Sequence, residues 1–198
     1  MTAVITTEDI KALRDATGIS VMQCKRALEE AVGDSEKALI ILRKKGADIA
    51  TKKADRHLGA GIISSYIHGN GNVGAMVELS CETDFVAKNQ EFKSLAYDIA
   101  MHVVASNPTY IKAEDIKEED KAKAREVFAK EVLGKPADMI EKIMQGKLQS
   151  YFGEKTLLDQ QFIKNPELTI QGLIQAGIQK FGEKIEVARF SRFSVLEK

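Results

Sequence analysis

Apolar positions along the first 46 residues recur at helical spacing and are divided by capping residues into three short helices. Thr7 is placed to cap the first, with Glu8 and Asp9 in its opening turn, where acids oppose the helix dipole. Ile10 and Leu13 mark its apolar side, and Thr17-Gly18 ends it. Ser20 opens the second helix, with Gln23 completing an S-x-x-Q capping box. Val21, Cys24, Leu28 and Ala31 form its face. Gly33 closes it and Asp34 caps the third, which carries Ala38, Leu39 and Leu42 and takes Gly46 as its C′ residue. Ala47 to Arg56 then reads as a basic linker helix. The division expected is residues 1–55 for a three-helix unit with its linker and 56–198 for the remainder.

From Gly61 the period changes to two: Ile63, Ser65 and Ile67 alternate with Ile62, Ser64 and Tyr66. Gly69-Asn70-Gly71-Asn72 contains an Asn-Gly pair suited to a tight turn, and Val73, Ala75, Val77, Leu79 and Cys81 alternate after it, which predicts a β-hairpin. A strong helix follows with Phe92, Leu95, Ala96, Ile99 and Val103 inward, stopped at Asn107-Pro108. A highly charged helix is predicted from about Lys117 to Leu133, with Val127, Phe128 and Val132 as its buried side and Gly134 after it. Pro136 starts another, whose apolar residues run from Met139 to Phe152. Leu157 to Asn165 looks irregular or extended. Thr169 caps a helix closed by Gly182, and Ile185 to Val195 is a β-rich tail that pairs with the hairpin. The fold class is therefore α+β: a three-helix module, then a three-stranded antiparallel sheet with helices on one face.

Composition narrows the chemistry. The 198 residues hold 29 Lys+Arg and 29 Asp+Glu, so the formal charge is zero, and binding dominated by nucleic-acid phosphates is not expected. Hydrophobic residues make up 44%, enough for a real core. No stretch approaches the ~18 apolar residues of a membrane span, and Glu8 and Asp9 are unlike a secretion signal. The expectation is a cytoplasmic protein with no membrane contact. Cys24 and Cys81 stand far apart and the histidines are scattered, so neither a disulfide nor a zinc site is expected.

Motifs for bond-making chemistry are missing. There is no G-x-S-x-G and no Walker A sequence. His102, alone on its helix, is more often structural than catalytic. The basic residues from Arg43 to Lys53 read as a solvated face before they read as an RNA site. Asp84-Phe85 is ambiguous. At a strand-to-helix junction it is either an exposed probe or a helix cap beside a core aromatic, and local pattern favours the second.

Taken together, several stretches resemble the bacterial elongation factor Ts family. Leu13-Arg14-Asp15-Ala16-Thr17-Gly18 followed by Met22-Gln23-Cys24-Lys25-Arg26-Ala27-Leu28 is similar to that family's opening. Leu42-Arg43-Lys44-Lys45-Gly46 continues the match, and Glu82-Thr83-Asp84-Phe85-Val86-Ala87-Lys88-Asn89 resembles its T-D-F-V-A-x-N signature. His102-Val103-Val104-Ala105, Leu157-Leu158-Asp159-Gln160 and Val187-Ala188-Arg189-Phe190 extend it to nearly the whole chain. The chain departs from the pattern at Ile19-Ser20-Val21, at Gln161 where proline is common, and at Phe190 where arginine is common.

The resemblance implies a translation factor that binds elongation factor Tu and promotes GDP/GTP exchange, with no cofactor and no bond-making chemistry of its own. It implies a ubiquitin-associated-like first module, and a probe formed by Asp84, Phe85, Val86 and Ala87 that disturbs the Mg²⁺ and phosphate site of the GTPase. A homodimer is a further possible assembly. The chain is short for the family, which leads to the expectation of a single core subdomain without a long inserted coiled coil. Two other readings stay open: an RNA- or ribosome-binding module using Arg43 to Lys53, and a small enzyme with its pocket near Cys81 and His102.

Overall fold

The computed structural model describes residues 5–132 and 136–195, apart from the side chains of 137 and 138. Three helices come first: α1 (Thr7–Thr17), α2 (Val21–Glu30) and α3 (Ser35–Lys52). Their inward faces meet in a small core of Leu13, Ile19, Cys24, Ala27, Leu28, Ala38 and Leu42. Gly18 takes the left-handed conformation that ends α1, and Asp34 accepts the Lys37 N–H at 3.0 Å to start α3.

Four details differ from the sequence expectation. Thr6, not Thr7, caps α1, in a reciprocal box with Asp9. Ser20 accepts the Gln23 N–H, but the Gln23 side chain is turned away and accepts from Gln179 at 3.1 Å. Val21 is exposed rather than part of the core face. Gly46 does not end the third helix: α3 runs through it to Lys52, so the expected linker helix is the second half of α3. A Cβ at Gly46 would lie 3.3 Å from the Gln175 carbonyl oxygen, so this glycine permits close helix approach instead of reversing the chain.

The hairpin is β1 (Ala60–His68) and β2 (Val73–Cys81), paired from Ala60↔Cys81 to His68↔Val73. Its loop is four residues long, longer than a two-residue Asn-Gly turn, and Gly69 and Gly71 supply its positive φ angles. After β2 come α4 (Asp84–Ala87), α5 (Gln90–Ser106), α6 (Glu118–Glu131) and α7 (Ala137–Gly153). The segment expected to be irregular or extended holds the first strand of a second, small antiparallel sheet, β3 (Gln161–Phe162) with β4 (Asn165–Thr169). Thr169 caps α8 (Ile170–Phe181), Gly182 ends it, and β5 (Ile185–Ser194) pairs antiparallel with β2. The main sheet has the order β1-β2-β5, as the α+β reading requires.

One face of this sheet is covered. Ala75, Val77, Leu79 and Cys81 of β2 pack with Phe92, Ala96, Ile99 and Val103 of α5 and with Ile170, Ile174 and Ile178 of α8. Period-two burial on the strands meets period-3.6 burial on the helices. On the opposite face Ile63, Ile67, Met76 and Phe193 are exposed.

α6 and α7, the two helices expected there, pack against each other with their own cluster of Ile116, Ala124 and Phe152. Arg125–Glu141 and Lys147–Glu131, each at 2.6 Å, tie the two helices together. Val127, expected inside α6, is exposed, and Ala124 takes the buried position. Leu133 and Gly134 lie outside the described residues.

Candidate partner-binding site

The four residues of the motif occupy α4, a single turn between β2 and α5. Its backbone is held by Ala87 N–H to the Thr83 carbonyl at 3.2 Å and Lys88 N–H to the Asp84 carbonyl at 3.0 Å. Asn89 then ends the turn and caps α5, accepting the Glu91 N–H at 2.8 Å. The chain therefore leaves the sheet at Cys81, makes one turn and enters the long helix α5 at Gln90.

That geometry sorts the side chains. Val86 is 4% exposed and belongs to the main core. Ala87 is half-buried and packs against the same cluster. Phe85 is 80% exposed, the most exposed of the large apolar residues among those described. Its ring is not a core aromatic, so the local-pattern preference for burial is overturned. Val86 supplies the inward residue that the strand-to-helix junction needs. A single exposed apolar side chain is ordinary on a protein surface, so the ring draws attention through the motif that carries it and not through exposure alone.

Asp84 stands beside it, also exposed, and accepts from Lys88 Nζ at 2.5 Å. That hydrogen bond and the Lys88 charge hold the Asp84 carboxyl below the usual aspartate range. Asp84 is the first residue of α4 and does not cap it; the cap position belongs to Thr83, whose side chain makes no bond into the helix.

Thr83 is engaged from across the sheet instead. Its hydroxyl donates to Glu183 Oε1 at 2.6 Å, and its N–H and that of Glu82 donate to Glu183 Oε2 at 3.0 and 3.1 Å. Glu82 in turn accepts the Lys184 N–H at 2.7 Å and Arg56 Nη1 at 3.1 Å. The Lys184 amide, more than the nearby cations, holds the Glu82 carboxyl below the ordinary range. The β2–β5 register produces this arrangement, because Cys81 is opposite Ile185 and the next residues on each chain meet. Sequence reasoning included Glu82 in the motif segment but missed Glu183 and its pairing with that segment: about a hundred positions separate the two, and no local pattern marks Glu183.

The other candidates are occupied elsewhere. Cys81 donates its thiol to the Thr83 carbonyl at 3.2 Å, and burial pushes that thiol up in pKa. Burial also raises Cys24, which sits in the N-terminal core. His102 is fully buried and bonds to Gln160 Oε1 at 2.9 Å, with burial depressing its basicity. Cys81 and His102 thus each have other partners and do not form a nucleophile–base pair. In the basic stretch, Lys45 pairs with Glu30 at 2.5 Å, Arg43 lies 3.9 Å from Glu167 and Lys53 lies 4.0 Å from Glu82, so acids interrupt a phosphate-binding stripe. Among the described residues no cluster of His, Cys, Asp or Glu is arranged to hold a metal, and no helix is long and apolar enough to cross a membrane.

Comparison with known proteins follows the same path. A family model described as Elongation factor TS matches residues 4–197. A protein of Carboxydothermus hydrogenoformans named Elongation factor Ts is 50% identical over 195 residues, covering 98% of this chain and 90% of its own length. Its namesake in Thermodesulfovibrio yellowstonii is 53% identical over 192 residues, covering 96% of both chains. That of Moorella thermoacetica is 47% identical over 195 residues, covering 98% of this chain and 96% of its own.

Proposed function

The chain belongs to the elongation factor Ts family of translation elongation factors, and from that premise we propose that it binds elongation factor Tu and accelerates GDP release. The observation that carries this reading is Phe85: an exposed ring on a turn whose neighbour, Val86, is locked in the core.

The physical route runs through the partner's metal. A P-loop GTPase holds Mg²⁺ in near-octahedral oxygen geometry together with the nucleotide phosphates. Phe85 enters an apolar gap beside that site and displaces the elements around it. Asp84 brings a carboxylate that competes with the polar network near the metal. Weakened Mg²⁺ leaves the diphosphate charge poorly neutralised, so GDP departs. No bond forms or breaks in this chain. Residues 1–55 act as a docking unit on the GTPase beside the remaining α+β body, 56–198. Deleting residues 1–46 should weaken binding to elongation factor Tu, and undiminished affinity would remove that part.

Exchange by this route is a linkage between two ligands of the GTPase. If this chain lowers GDP affinity, GDP must lower the affinity for this chain by the same factor. Titrating the chain against GDP-bound and nucleotide-free elongation factor Tu tests it, since equal affinities would exclude an equilibrium exchange role. Labelled-GDP release with and without the chain is the direct measurement.

The open sheet face supports a second assembly. Ile63, Ile67, Met76 and Phe193 give it an apolar surface, and the charges of Glu78 and Arg189, paired at 2.6 Å, neutralise each other within the sheet. A second copy covers this face in the reading proposed here. Sedimentation over a range of concentrations should give a dimer that Ile67→Lys dissociates; a wild-type monomer throughout would dismiss it.

A further inference from the structure

Glu183 lies in the short connection between α8 and β5, far in sequence from the motif it touches. It receives three hydrogen bonds from Glu82 and Thr83, at 3.1, 3.0 and 2.6 Å. The adjacent Lys184 N–H returns one to Glu82 at 2.7 Å. Two acids on neighbouring segments therefore hold each other's backbone, directly before the first residue of α4.

A four-residue helix cannot orient itself, because nucleation fixes more dihedrals than its few bonds reward. Its direction has to come from anchors outside it. Val86 is one, set in the core below. The Thr83 hydroxyl, which in a longer helix would cap the first turn, is committed to Glu183. The N-terminal end of α4 is thus fixed by a residue of another element, and the direction in which Phe85 leaves the surface is fixed with it.

We propose that Glu183 is a positioning residue for Phe85, clamping the Thr83 backbone and hydroxyl so that the exposed ring is presented in one orientation to the GTPase. The proposal rests on the reading that Phe85 is the contacting group. Glu183 itself touches neither partner nor nucleotide in this account. Its effect should appear in the rate of GDP release at saturating factor more than in the concentration needed for half-saturation, since most of the docking surface is elsewhere.

The test is labelled-GDP release from elongation factor Tu over a range of factor concentrations, with thermal unfolding on the same samples. Glu183→Ala should lower the saturating rate about tenfold, the scale expected when charge-assisted hydrogen bonds that orient a contacting group are lost. Glu183→Gln should restore most of it, because one amide oxygen accepts both backbone N–H groups and the amide nitrogen donates to the Thr83 hydroxyl. Thr83→Val removes a single bond, leaves the acid in place, and should cost about threefold, which keeps the test available if Glu183→Ala folds poorly. In a Phe85→Ala background, Glu183→Ala should add nothing further. An unchanged saturating rate in folded Glu183→Ala or Thr83→Val would overturn the clamp, as would an equal loss with and without Phe85. Wild-type release by Phe85→Ala would remove the underlying reading, a result distinct from loss with Phe85→Ala but none with Glu183→Ala.

Discussion

Phe85 and Phe92 are seven positions apart on consecutive helices, and they have opposite fates. Phe92 is 0% exposed, packed edge-to-face on Phe181 at 5.9 Å, and central to the main core. Phe85 leaves the surface from α4. The side chains are identical, so the difference lies in the backbone that carries them. α5 has several turns over which to turn a stripe toward the sheet. α4 has one, in which Val86 turns fully inward and Ala87 partly so. A single turn between two buried elements can satisfy the core with Val86 and Ala87 and leave Phe85 exposed.

The strongest way to break this contrast is to truncate each ring. Phe92→Ala should destabilise the fold by ~3–5 kcal/mol, the usual cost of deleting a buried aromatic. Phe85→Ala should leave the melting temperature within about 1 °C, since surface changes away from structural features stay within about 0.5 kcal/mol. GDP release from elongation factor Tu should nonetheless fall by about thirtyfold or more, the scale of an interface hot spot worth ~2 kcal/mol. A large stability loss in Phe85→Ala with normal release by the folded remainder would erase the difference between the two rings.

The sequence made one of these regions far easier to read than the other. Phe92, Ile99 and Val103 repeat at helical spacing, and caps such as Asp34, Thr169 and Gly182 act within one turn of themselves, so local pattern suffices. Local pattern also covers β2, whose alternation matches the buried Ala75, Val77, Leu79 and Cys81. It fails where a distant element decides. Gly46 resembles a helix stop until α8 is found beside it. Gln23 resembles half of a capping box until Gln179 claims its side chain. Phe85 and Val86 are interchangeable as letters beside a junction, and only the sheet's position selects which turns inward. The family motif drew attention to four residues that share one turn, but nothing near them in sequence pointed to Glu183.

A smaller effect separates the inside of α5 from the outside of α4 through pH. The Ile163 N–H points at His102 Nδ1 at 3.4 Å, so the neutral ring carries its proton on Nε2 and donates to Gln160 Oε1. Burial lowers the folded-state pKa below the usual 6.5, only partly opposed by Gln160. A lowered pKa on a base means the folded state resists protonation. The associated stability is therefore complete above about pH 6.5 and is lost as pH falls toward the folded-state value. Between pH 7 and 5 stability should drop with a slope of at most ~1.4 kcal/mol per pH unit from this group. His102→Gln should flatten that component while costing ~1–3 kcal/mol at pH 7 through imperfect replacement of a buried bond. Release of GDP by protein that remains folded should not follow the His102 titration. An identical pH slope in His102→Gln would assign the effect to other groups.

The finest test lies within α4, where Asp84 and Lys88 form an exposed pair at 2.5 Å. Pairs of this kind contribute ~0–1 kcal/mol, because water screens them and two side chains must be held in place. Lys88→Ala should therefore leave stability nearly unchanged and free the Asp84 carboxylate, whose pKa should return toward the ordinary aspartate value, since Lys88 is the main cause of its depression. Asp84→Ala removes the carboxylate itself. If Asp84 acts on the partner's metal site, Asp84→Ala should slow GDP release by about threefold to tenfold, less than loss of the ring, while Lys88→Ala should not slow it. If the pair serves only to hold the turn, the two variants should behave alike. Equal release by both would return Asp84 to the surface polar residues and leave Phe85 as the sole contacting group of α4; unequal release would divide the motif between a wedge and a charge.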